Sequence, residues 1–252
     1  MGGGASGIGR ATAEQLADAG LQVVITGRRE VALRTAAAEI QARSGSDVQY
    51  VVCDLADPDA GAVLIDDVET LIGGVDVLVV NAGGPAPGRI LEVDDSSWYH
   101  GLEMLLLGPL RLARPALPRM ASRGFGRVIL VTSTAVQRPE PDLAVSVVVR
   151  SALTAAAKLL SLEHAAAGVT VNCVAPGATA TARRGEIIAA RAAATGARTE
   201  EFDVAEAARI PAGRAAEPAE IAAAIGFLAS DAAGYINGTV LTVDGGRTEA
   251  IW

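Results

Sequence analysis

A chain of 252 residues, half of them hydrophobic, has the size of one ordinary α/β domain, or at most two small ones, and can bury a large core. Aromatic residues make up only 3%, so that core must be built from small aliphatic side chains. A net charge of −8, scattered cysteine and histidine, and no apolar run near the ~18 residues of a membrane span argue against a nucleic-acid partner, a metal site and a membrane, and with no signal peptide at its start the chain is expected to be cytoplasmic.

In chain order, the first feature is a glycine-rich run. Gly3, Gly7 and Gly9, with Ala5, Ser6 and Ile8, lead into a helical stretch to Ala19 whose apolar stripe is expected at Ile8, Ala11, Leu16 and Ala19. Glycines let the backbone turn tightly, and a helix N-terminus offers unpaired N–H groups and a favourable dipole to an anion such as a pyrophosphate. A strand ordinarily precedes such a turn, yet Gly2 follows Met1 directly; residues upstream of Met1, or another segment, are expected to fill that place, the former preferred. The next apolar run, Val23 to Thr26, ends in Gly27, Arg28 and Arg29. A dinucleotide fold puts a carboxylate here for a ribose diol, or a cation for a 2′-phosphate. Only the cation is present, which favours NADP(H) over NAD(H).

Further strand-like runs follow at Val48 to Val52, Val75 to Val80, Val128 to Thr132, Val169 to Val174 and Thr239 to Val243. They are continuous rather than alternating, as in parallel strands covered on both faces. Helical patterns separate them; in one, Leu64, Val68, Leu71 and Ile72 follow an expected N-cap at Asp57 and Pro58 in the first turn. Strands alternating with helices predict a Rossmann-type, doubly wound parallel α/β sheet in a single domain over residues 1–252. Cys53 and Cys173 lie in apolar segments and read as buried small hydrophobes.

Several short pieces now stand in a characteristic order: GGASGIG at Gly3 to Gly9, Asp54-Leu55, Asn81-Ala82-Gly83, Ser133, Asn172 with Pro176-Gly177 and Thr181, and Val243 to Gly246. Together they make the chain resemble the short-chain dehydrogenase/reductase family over nearly its whole length. The resemblance implies that Asp54 and Leu55 border an adenine ring. It also implies that Asn81, Ala82 and Gly83 support the ribose side, and that Pro176, Gly177 and Thr181 line the nicotinamide.

The family's active site uses an asparagine on a long helix, a serine, and a tyrosine and lysine spaced YxxxK. Here Ser133 takes the serine place, SVVVR puts Ser146 and Arg150 at the last two, and Leu105 falls where the asparagine belongs. The chain is therefore similar to a ketoreductase-like subgroup lacking the tyrosine and lysine. An aliphatic hydroxyl is much harder to ionise than a phenol, and a guanidinium cannot act as a base. Arg150 is expected to bind ribose hydroxyls in the lysine's stead, and Ser133 to polarise a carbonyl. Tyr99, His100, Lys158 and His164 read as helix-surface residues, whereas Glu140 and Asp142 sit better for a substitute acid.

Residues 182–210 take the place of a substrate lid, rich in alanine and charge. The long helices Ser97 to Ala121 and Val145 to Ala167 carry small apolar residues, and the resemblance implies a homodimer or homotetramer packed through them. The expected activity is that of an NADP(H)-dependent oxidoreductase working on a carbonyl, an alcohol or an activated alkene of a small-molecule substrate. A dehydratase, isomerase or cyclase, or a non-catalytic dinucleotide-binding subunit, stand as alternatives.

Overall fold

The computed structural model describes residues 1–250. Its sheet has two parallel parts. β1 (Val23–Gly27) pairs with β2 (Val48–Val52); β3 (Val77–Val80), β4 (Gly126–Val131), β5 (Val169–Pro176) and β6 (Val240–Val243) pair side by side in that order. The parts meet through the N-terminal stretch. The Gly2 N–H donates to the Val79 carbonyl at 3.0 Å, the Gly4 N–H to Thr26 at 3.1 Å, and the Thr26 N–H to Met1 at 2.9 Å. Met1 to Gly4 therefore lie between β1 and β3, where the first strand was expected; among the described residues no other segment enters that space. The strand order reverses there, which sets the topological switch point beside the glycine turn.

Both faces of the sheet are covered, which explains the continuous apolar runs. In β4, Val128 and Leu130 pack with α3 (Ala60–Ile72), α5 (Gly108–Arg123) and α6 (Ala144–His164). Ile129 and Val131 pack on the other side with α1 (Gly7–Asp18), α2 (Glu30–Ser44) and α9 (Pro218–Ala229). Cys53 and Cys173 are both buried and free. The expected lid is two helices, α7 (Ala182–Thr195) and α8 (Thr199–Ala208).

Some local expectations shift. Of the stripe foreseen on α1 only Leu16 is buried; Thr12, Ala13 and Ala17 complete the packed face, because α9 covers that helix from the side. α3 starts later than foreseen: Asp59 occupies the N-cap position, while the Asp57 carboxylate accepts the Asp59 N–H at 2.9 Å and caps the turn before it. Leu71 is exposed, and Ile65 takes its place in the core. The long helix around Leu105 is not uniform: α4 (Asp95–Leu102) widens into a π-helical turn, Glu103–Leu107, before α5. Against the reading that no segment approaches a membrane span, the helix Ala144–Ala167 is long and apolar enough by length and composition. Its Leu153 and Ala157 pack on the sheet beside β5, its Val145 and Val149 pack against Leu105, and the buried Arg150 lies on the same helix.

Candidate active site

At the C-terminal ends of the strands a cleft opens, formed by hollows of about 380 Å³ and 170 Å³ that share Gly3, Ser6, Asn81, Ala82 and Gly83. The shared wall is the glycine turn. Gly3 and Gly7 have φ of +62° and +53°, conformations that suit glycine, and a Cβ on Gly9 would stand 2.1 Å from the Gly3 carbonyl oxygen. Gly9 thus does not line the cleft; it lets α1 begin directly against the turn. The backbone N–H groups of Ser6, Gly7 and Ile8 find no acceptor among the described residues, and the first turn of α1 has neither a side-chain cap nor an acidic residue. Unpaired N–H groups at an uncapped helix N-terminus fit a diphosphate. Asn81 fastens the end of β3 to this turn, its Nδ2 donating to the Gly2 carbonyl at 3.5 Å. At Gly83 a Cβ would meet nothing within 4 Å, so the wall stays open for a ligand.

The smaller hollow contains Arg28, Arg29, Asp54 and Leu55, with Met104 from the π-helical turn as a wall the sequence did not reveal. Arg28 and Arg29 are exposed, and among the described residues neither forms an ion pair. The Asp54 carboxylate accepts the Ala56 N–H at 3.0 Å and so caps its own turn while bordering the hollow. Burial, reinforced by Asp54 and Asp57, pushes the Cys53 thiol up to about 11 and keeps it unreactive.

Ser133, Ser146, Arg150, Pro176, Gly177 and Thr181 all line the larger hollow together with Ile8. Ser133 Oγ accepts the Ala135 N–H at 3.2 Å, and Ser146 Oγ accepts Arg150 Nε at 3.2 Å. Neither hydroxyl donates to a protein acceptor among the described residues, so both protons remain for a ligand oxygen. Gly177 is small by necessity, since a Cβ there would sit 2.6 Å from that of Asp244. Thr181 caps α7 by accepting the Arg184 N–H at 3.3 Å, and its methyl group would stand 3.1 Å from a Cβ on Gly7.

Arg150 departs from expectation. Its side chain is buried, and each of its five N–H groups has a partner. Besides Ser146, Nη1 donates to the carbonyls of Val131 (2.8 Å) and Thr132 (3.2 Å), and Nη2 to those of Ala82 (3.2 Å) and Gly83 (3.4 Å). The donors foreseen for ribose hydroxyls are taken up in tying the ends of β3 and β4 together. Burial, and after it the nearby Arg183, lower the Arg150 guanidinium to about 10.

Leu105 is buried against Val145 and Val149 of α6 and puts no polar group into the cleft. Tyr99 and His100 are exposed, and His164 Nδ1 pairs with the Leu160 carbonyl at the far end of α6. Of the foreseen substitute acids Glu140 lines the cleft, but Arg191 binds it together with Asp142, and Arg247 approaches Glu140 at 3.9 Å. Arg191 holds the Asp142 carboxyl below its ordinary value, so it stays ionised and unable to donate a proton. Arg183, Arg184, Arg191 and Arg247, which also line the cleft, were not foreseen. They come from α7 and the C-terminal turn, and the only hint was the clustering of arginine at 183, 184 and 191 in an acidic chain. A separate hollow of about 420 Å³, lined by Ser151, Lys158 and Cys173, contains none of the motif residues.

Comparison with known proteins follows the same outline. Residues 3–248 match the family model described as enoyl-(acyl carrier protein) reductase. The chain is 33% identical over 244 residues to the 3-oxoacyl-[acyl-carrier-protein] reductase FabG of Haemophilus influenzae, covering 97% of this chain and 95% of that one. A variant of actinorhodin polyketide ketoreductase solved with NADPH superposes with a TM-score of 0.95 at 31% identity, covering 99% of this chain and 96% of the other. An NADPH-bound short chain oxidoreductase of Pseudomonas aeruginosa PAO1, described as containing an atypical catalytic center, superposes at 0.88 with 30% identity, covering 99% and 95%.

Proposed function

Because the chain belongs to the short-chain dehydrogenase/reductase family, an oxidoreductase family, we propose that it is an NADP(H)-dependent member that interconverts a carbonyl and an alcohol, or reduces an activated alkene, with two serine hydroxyls where a phenol ordinarily works. One observation carries this reading: a single cleft runs from two unpaired arginines, past unpaired backbone N–H groups, to the Ser133 and Ser146 hydroxyls. The N–H groups of Ser6, Gly7 and Ile8 would hold the diphosphate, and Arg28 the 2′-phosphate. Asp54 and Leu55 would border the adenine, with Asn81, Ala82, Gly83, Pro176, Gly177 and Thr181 toward the nicotinamide. The bound cofactor supplies hydride, and the protein supplies position and polarisation.

At the reacting end, Ser133 and Ser146 donate hydrogen bonds to the substrate oxygen. Arg150 is a positioning residue: its Nε fixes Ser146 as an acceptor, which leaves the serine proton to point into the cleft. With a guanidinium whose donors are all engaged and no phenol, the final proton comes from water or from the substrate, which suits an enolate at least as well as an alkoxide. The protein is proposed to be cytoplasmic and to assemble as a homodimer or homotetramer through α5 and α6; on α6, Val148, Leu159 and Leu162 are exposed. The two helices over 182–208 are proposed as the lid.

The test is a fluorescence titration with NADPH and NADH, then a screen of ketones and enones for loss of NADPH absorbance. NADPH is expected to bind and to be consumed with at least one carbonyl or enone. Arg28→Asp should shift preference toward NADH by about tenfold or more, the loss of one charge-assisted phosphate contact. Tight NADPH binding without oxidation on any substrate would favour the non-redox reading. An unchanged preference in Arg28→Asp would overturn the cofactor assignment.

A further inference from the structure

In a chain of net charge −8, the larger hollow is lined by five arginines and only two glutamates. Most of these cations are neutralised locally. Arg191 is held by Glu140 and Asp142, Arg184 by Asp203, and Arg247 lies 3.4 Å from Glu206. Two are not. Arg150 is buried with a full set of hydrogen bonds, yet every acceptor is a neutral carbonyl or hydroxyl, and among the described residues no carboxylate pairs with it. Such a charge is hydrogen-bonded but uncompensated.

Arg183, in the first turn of α7, reaches across the hollow to the Pro85 carbonyl at 2.5 Å and stands over Gly84, 3.3 Å from where a Cβ would be. Its only carboxylate partner is Glu186, one turn along the same helix and two-thirds exposed, a pairing of little strength. Of its five N–H groups, the Pro85 and Glu186 contacts take two. The remaining donors of Arg183 and the unbalanced charge of Arg150 thus belong to one hollow, close enough that Arg183 disfavours the charge on Arg150. An acidic protein that keeps two such groups in one hollow, paired with neither of its two glutamates, has built a place for an anion.

We propose that the substrate carries a carboxylate as well as its reacting carbonyl or alcohol, and that Arg183 is the residue that binds this carboxylate, within the field of Arg150. The proposal rests on the oxidoreductase reading above. It makes the protein an oxo-acid reductase or hydroxy-acid dehydrogenase, in which a charge-assisted contact at Arg183 fixes the substrate and leaves its other oxygen to Ser133 and Ser146.

The experiment compares 4-oxopentanoate and 4-oxocyclohexanecarboxylate with their methyl esters by NADPH consumption. In parallel, calorimetry follows the binding of benzoate and of methyl benzoate to the protein–NADPH complex. The acids are expected to exceed their esters in kcat/KM by about ten- to a hundredfold, the range of a hydrogen bond to a charged group, and benzoate but not its ester to bind. In Arg183→Leu the acid-to-ester ratio should fall to about one and benzoate binding should vanish, while Arg183→Lys keeps part of both and NADPH affinity stays within about twofold. Equal use of acid and ester, or benzoate binding that survives Arg183→Leu, overturns the proposal and leaves the oxidoreductase reading standing. A loss of NADPH affinity in Arg183→Leu also overturns it, because Arg183 would then serve the cofactor's phosphates. Should neither acid nor ester be turned over, the calorimetric arm decides alone; absence of NADPH binding to the unaltered protein is the failure of the parent reading instead.

Discussion

The two ends of the cleft are made of different material. The phosphate end is backbone: a positive-φ glycine at Gly3, a glycine at Gly9 with no room for a methyl group, and unpaired N–H groups at the start of α1. The deep end is side chain: two hydroxyls, a buried guanidinium and a ring of arginines and carboxylates. Backbone geometry leaves little room for variation, because changing one residue displaces the chain itself. A site made of side chains can be rewired one residue at a time while its frame stays put.

Breaking the deep end at its frame should have the largest effect. Arg150→Met leaves the carbonyls of Ala82, Gly83, Val131 and Thr132 without their side-chain donor, which should cost about 3 kcal/mol or more and lower the melting temperature by on the order of 10 °C. A near-normal melting curve would show that these contacts do not hold the strand ends. Next comes the phosphate end. Gly9→Ala forces a methyl group to within 2.1 Å of the Gly3 oxygen, so the turn must shift. The expected cost is about 2 kcal/mol, with NADPH affinity reduced at least about tenfold in a titration of the folded variant.

Ser146→Ala sharpens the contrast, since it removes a hydrogen-bond donor to the substrate without touching the cradle. It should lower kcat by about ten- to a hundredfold at constant NADPH affinity, measured by steady-state rates beside a binding titration. The smallest effect concerns pH. Arg191 holds the Asp142 carboxyl below its ordinary value near 3.8. The folded value lies under the unfolded one, so this contribution is complete above about pH 4 and is lost as the pH falls through the lowered value. Asp142→Asn should therefore flatten the acid limb of the stability curve, by at most about 1 kcal/mol because the pair is partly exposed. An unchanged acid limb would mean that Arg191 and Asp142 do not pair in solution.

The same division decided what could be read from the sequence. The parallel strands were legible because β4 and β5 are buried on both faces and so carry unbroken apolar runs. The glycine turn, Asn81 and Pro176-Gly177 were legible because short motifs encode backbone shape. The companions of Ser146 were legible only as letters. That Arg150 would turn its donors onto four carbonyls depends on where β3 and β4 end relative to α6, which no local spacing expresses. The burial of Leu105 arises in a π-helical turn, an irregularity that a 3.6-residue pattern conceals. Arg183, Arg191 and Arg247 reach one hollow from α7 and a distant turn, so their meeting is a tertiary fact.

The central claim is that uncapped N–H groups at the glycine turn, with Arg28 beyond β1, hold a 2′-phosphorylated nicotinamide dinucleotide. Calorimetric titration of the unaltered protein with NADPH and with NADH tests it most directly. The account predicts saturable binding of NADPH, with NADH weaker by about tenfold or more. No heat of association with either coenzyme, in protein whose circular dichroism shows it folded, would contradict it.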